Sequence, residues 1–70
     1  MSDNISKARE RLERIKSFYE YADPTNRYSQ SLYYYKELVN IYKKAKSNEQ
    51  SIIREFYNEA DRLMEEMKTS

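Results

Sequence analysis

One proline and no glycine in 70 residues leave this chain few ways to turn sharply. Glycine supplies the positive-φ positions of tight turns, and proline punctuates loops and strand edges. A chain nearly without both is poorly suited to a turn-rich β fold. The one strong breaker is Asp23-Pro24-Thr25-Asn26, because a residue before proline is pushed out of helical geometry. On both sides of it, apolar residues recur at three- and four-residue intervals, the period of an α-helix.

The first helix is expected from about Asn4 to Ala22, with Ile5, Ala8, Leu12, Ile15, Tyr19 and Ala22 on one stripe and Asp3 as N-cap. The second is expected from about Asn26 to Lys46. It carries two adjacent stripes: Tyr28, Leu32, Tyr35, Val39 and Tyr42, and beside them Tyr34, Leu38, Ile41 and Ala45. So wide an apolar surface suits a central helix packed against two neighbours. The third is expected from about Glu49 to Lys68, where Ser47 and Gln50 have the spacing of a capping box. Its inner stripe reads Ile52, Phe56, Ala60, Leu63 and Met67, with Ile53, Tyr57 and Met64 along one edge. Leu32 and Leu63 are expected at the centre of the core.

Three helices of similar length joined by two short connections predict an all-α, antiparallel three-helix bundle, one domain spanning residues 1–70. Met1 to Asp3 and Thr69 to Ser70 are expected to fray. A chain of this length buries only about 60% of the surface its unfolded form exposes, so the core is thin.

Several kinds of chemistry are ruled out or disfavoured by composition. Without cysteine there is no disulfide or thiolate site, and without histidine no general base that titrates near neutral pH. Glu55 and Glu59 have i, i+4 spacing but lack the Glu-x-x-His pairs of di-iron bundles, so no metal or other cofactor is expected. No enzyme activity is expected either. No apolar run approaches the roughly 20 residues of a membrane span, and the N-terminus lacks a leader's apolar core, which suggests a cytoplasmic protein.

Charge is distributed unevenly. Residues 1–22 carry +1, residues 23–47 carry +3 and residues 48–70 carry −3, for a net +1. A nucleic-acid binder more often has a strong basic excess, so a protein or peptide partner is expected instead.

Five of the eight tyrosines fall between Arg27 and Lys44. Tyr19, Tyr28, Tyr35 and Tyr42 are on inner stripes, where a tyrosine can bury its ring and keep its hydroxyl at the surface. Of the triplet, Tyr35 is expected toward the core, Tyr34 at its margin and Tyr33 outward. On the third helix, Tyr57 and Met64 are two turns apart on one edge, with Asp61 between them. An apolar edge flanked by an acid suits an amphipathic partner helix bearing leucine and arginine or lysine.

Two stretches carry a family resemblance. "DPTNRYSQSLYYY" resembles the junction of the first two helices in MIT (microtubule-interacting and transport) domains. That pattern has Asp, Tyr five residues on, a small residue three later, Leu next and Tyr three beyond, matched by Asp23, Tyr28, Ser31, Leu32 and Tyr35. "FYNEADRL" is similar to the family's Y-L-x-R-A-E-x-L at Phe56, Ala60, Asp61 and Leu63. The resemblance covers about residues 8–68. Ser31 stands where alanine is usual, Glu59 where arginine is usual, and the stretch between the motifs is shorter. It implies a three-helix bundle that binds C-terminal motifs of ESCRT-III proteins and so recruits ATPases, proteases or deubiquitinases to membrane-remodelling filaments. By the same resemblance, Tyr57, Asp61 and Met64 would meet a motif helix, and Leu38, Ile41 and Ala45 would form the second helix's side of the groove.

The reading is therefore a non-catalytic module that binds a short helical motif. A self-assembling homo-oligomeric bundle and a small inhibitor or immunity-type protein remain as alternatives.

Overall fold

Asp23 ends the first helix by two routes: Pro24 follows it, and its own polar groups take up the amides beyond. Its side-chain Oδ1 accepts the backbone N–H of Thr25 at 2.9 Å and the Thr25 hydroxyl at 2.7 Å, while its carbonyl accepts the amides of Asn26 and Arg27, both at 2.9 Å. The two bonds from Thr25, the backbone amide's first, hold the Asp23 carboxyl below its ordinary pKa. The Arg27 guanidinium reaches back over the turn, donating to the Tyr19 carbonyl at 2.9 Å and lying 4.9 Å from the centre of the Tyr19 ring. A cation at a helix C-terminus is favourable because the last carbonyls lack intrahelical partners.

The structure, a computed structural model, describes residues 3–69. It contains α1 (Asp3–Tyr21), α2 (Arg27–Lys44) and α3 (Ser47–Thr69), with no strand among the described residues. Asp3 and Thr69, expected to fray, are helical. Met1, Ser2 and Ser70 lie outside the described residues.

The second turn has only two residues, Ala45 and Lys46. Ala45 leaves helical geometry with φ −73° and ψ 157°. Capping here differs from the expected Ser47–Gln50 box. Glu49 instead reaches back to accept the Lys46 N–H at 3.0 Å, and the Gln50 side-chain amide donates to the Tyr42 carbonyl at 2.8 Å, tying the start of α3 to the end of α2.

Cross-helix partners reveal the topology. Between α1 and α3 the numbers rise together: Asn4 bonds Glu49, Lys16 pairs with Glu59, and Tyr19 bonds Glu66. Between α2 and α3 one number falls as the other rises, with Tyr35 bonded to Asp61 and Tyr42 to Arg54. Arg11 and Glu37 pair at mid-length of α1 and α2. All three helices contact one another, and the bundle measures 36 × 17 × 15 Å. At 1.5 Å per residue the 23 residues of α3 span about 34 Å, which accounts for the long axis. The chain is an antiparallel three-helix bundle, as its periodicity implies.

The core consists of Ala8, Leu12 and Ile15 from α1, Leu38 from α2, and Ile53, Ala60, Leu63, Met64 and Met67 from α3. Ile15, Leu38 and Ile53 are the largest fully buried apolar residues, each worth about 1.5–3 kcal/mol of transfer free energy. Two expectations change. Leu32 is only half-buried, and its neighbour Ser31 is the fully buried residue on that part of α2. On α3 the inward face is rotated toward Ile53 (0% exposed) and Met64 (5%), leaving Ile52 42% exposed and Phe56 at the margin.

Candidate peptide-binding groove

The tyrosines of α2 meet α3 along one side of the bundle. The Tyr57 ring lies between those of Tyr35 and Tyr42, with centroids 5.9 and 5.7 Å away and both pairs inclined at 49°. Such tilted pairs place a ring's positive edge toward a neighbour's negative face. All three rings are half-buried, with polar tips at the rim. The Tyr35 hydroxyl donates to Asp61 Oδ1 at 3.0 Å, and Arg54 Nη2 and Nε donate to the Tyr42 hydroxyl at 2.9 and 3.2 Å. Burial, then the hydroxyl of Tyr57 and the carboxylate of Asp61, push the Tyr35 phenol well above the ordinary tyrosine pKa.

Beside this ladder is an open depression of about 460 Å³, lined by Tyr35, Lys36, Val39, Asn40, Lys43 and Tyr57. Its floor combines aromatic and branched aliphatic surface. Lys36 and Lys43 stand along the α2 side, and Asp61, exposed, stands next to Tyr35 on the α3 side. Among the described residues, no three histidine, cysteine, aspartate or glutamate side chains gather where one metal ion could be shared. No helix among them is long and apolar enough to cross a membrane.

The six residues singled out from the sequence do not converge on this groove. Tyr57 and Asp61 do. Met64 and Leu38 are core residues, closed off by the neighbouring helices, and present no side chain to a partner. Ile41 is on the other side of α2, where it lines a depression of about 240 Å³ with Lys7, Arg11, Glu37 and Asn40. Ala45 packs against the core at the end of α2. The α2 wall of the groove is built instead from Tyr35 and Val39, of the stripe read from the sequence as interior, together with two lysines that were not singled out as partner-binding.

A second aromatic surface lies between α1 and α2. Phe18 and Tyr34 have centroids 5.6 Å apart, and Tyr33 meets Tyr34 edge-on at 5.0 Å and 86°. Phe18 also lines an open depression of about 320 Å³ with Tyr21, Asn26 and Gln30. Tyr21 is 82% and Tyr33 61% exposed. The signal for the α1 side was present in the sequence: Lys7, Arg11, Arg14, Phe18 and Tyr21 recur at helical spacing beside the core stripe.

No protein-family model matches this chain, and no curated protein or solved structure matches it at a significant level.

Proposed function

We propose that the chain is a non-catalytic docking module, similar in kind to an MIT domain, that holds a short amphipathic helix carrying leucine and arginine on the α2–α3 face. The observation that supports this most is an apolar floor of Tyr35, Val39 and Tyr57 flanked by the exposed carboxylate of Asp61. Leucines of the partner would cover the floor while its arginine reaches Asp61. A carboxylate has about four acceptor sites, so the Tyr35 hydroxyl leaves room for a guanidinium. In the family that the sequence resembles, such docking recruits cytoplasmic enzymes to ESCRT-III filaments. C-terminal helices of that class are the partners to try first.

Asp61→Asn is the informative variant, since an amide oxygen still accepts the Tyr35 hydroxyl while the charge is lost. A charge-assisted hydrogen bond contributes about 1.5–3 kcal/mol, so affinity for a fluorescein-labelled Leu/Arg helical peptide should fall about tenfold or more. Thermal stability should hardly change, and added salt should weaken the wild-type complex more than the variant's. Equal affinity in the two proteins would refute the assignment of Asp61. No binding to the wild type would refute the docking reading itself.

The exposed Tyr21–Phe18–Tyr34–Tyr33 surface favours a second reading, self-association of the bundle through α1 and α2. Light scattering over a wide concentration range separates the two. A monomer throughout removes the second.

A further inference from the structure

We propose that Lys36 and Lys43 form an acid-reading wall in this groove, so that its occupant is a helix with two carboxylates seven residues apart on one flank and its basic residue on the other. This rests on the docking reading and adds the occupant's charge pattern. Both lysines are exposed and border the depression floored by Tyr35, Val39 and Tyr57. Neither has an ion pair among the described residues. The one acidic residue of α2, Glu37, lies about 100° round the helix from Lys36 and is engaged from α1, where it accepts Arg11 Nε at 2.6 Å. Nothing on α2 therefore neutralises the wall.

Lys43 is in the last turn of α2, where a cation also complements the helix dipole. Lys36 is two turns further from that end, and the dipole gives it no comparable role. The spacing is the informative feature. Seven residues are two turns, a rise of about 10.5 Å, and a helix lying along α2 repeats on the same pitch. Carboxylates at positions i and i+7 of the partner thus meet both lysines at once. Across the floor, Asp61 offers the opposite charge. The groove is cationic along α2, while α3 presents the Asp61 carboxylate beside Tyr35 and the Arg54 guanidinium beside Tyr42. A partner with its flanks exchanged would set its carboxylates against Asp61 and its basic residue against the lysines.

The test uses three fluorescein-labelled peptides with the same leucine ridge and the same arginine, differing only at the i, i+7 pair: glutamates, glutamines or lysines. The protein is the full chain, wild type or carrying both Lys36→Glu and Lys43→Glu, with fold checked by circular dichroism and thermal midpoint. Wild type should bind the glutamate peptide about tenfold more tightly than the glutamine peptide, and the lysine peptide least. The double variant should reverse that order. Equal binding of the three peptides by wild type, or an unchanged order in the variant, overturns the proposal. If Asp61→Asn weakens all three peptides while the lysine changes have no effect, docking stands and this inference fails. If wild type binds none of them, both fail.

Discussion

Ser31 is fully buried on α2, yet its hydroxyl has no hydrogen-bond partner. A hydroxyl taken out of water without compensation costs about 1–3 kcal/mol in proteins. Ser31→Ala removes that oxygen and keeps a side chain small enough for the site. Alanine is also the better helix former, by a few tenths of a kcal/mol. Against this stands only the lost packing of one small atom. The net expectation is a gain of about 1–2 kcal/mol, and a domain of this size gains roughly 4–8 °C in melting temperature per kcal/mol. Urea and thermal denaturation followed by circular dichroism would measure it. Ser31→Leu provides the opposite arm, since forcing a larger side chain into a closed site costs about 1–3 kcal/mol or more. A lower midpoint for Ser31→Ala would refute the reasoning, because it would mean that the hydroxyl is satisfied and stabilising.

The rotation of α3 is testable with neighbouring isoleucines. Ile53→Ala should cost about 2–5 kcal/mol in chemical denaturation and Ile52→Ala less than about 1 kcal/mol, and the reverse order would restore the stripe read from sequence. Asp23 binds its proton less readily folded than unfolded, so the unfolded state holds more protons as pH falls. Its contribution is therefore present above the unfolded carboxylate pKa near 4 and lost in more acidic solution. The wild-type advantage over Asp23→Ala in denaturation midpoint should shrink as pH is lowered below about 4, and a constant difference would show that the lowered pKa has no part in it.

The fold was largely legible because a single signal dominates the sequence. Helical periodicity runs almost uninterrupted, and Asp23-Pro24 is the one place it must stop. The second boundary is weaker, which is why Lys46 and Glu49 share the cap expected of Ser47 and Gln50. The tyrosine roles were legible too: Tyr19, Tyr35 and Tyr42 pack their rings against the core and use their hydroxyls at the rim, bonding Glu66, Asp61 and Arg54. The candidate groove was legible only in part. Two adjacent stripes of α2 are about equally apolar, and periodicity does not say which faces α3. The assignment of Leu38, Ile41 and Ala45 took the stripe that turns toward α1 and the core. On α3, Ile52 and Ile53 are chemically identical, so nothing local decides which is buried. Packing against α1 and α2 favours Ile53 and draws Met64 inward with it. The opposed charges of Lys36, Lys43 and Asp61 acquire meaning only once the two helices are side by side.

The proposed function requires a helical peptide to dock between α2 and α3. Backbone-amide shift mapping by NMR, with a Leu/Arg helical peptide titrated into the isotopically labelled chain, tests it most directly. The largest shifts should cluster at Tyr35, Lys36, Val39, Lys43, Tyr57 and Asp61. Shifts concentrated at Phe18, Tyr21, Tyr33 and Tyr34, or none at saturating peptide, would contradict it.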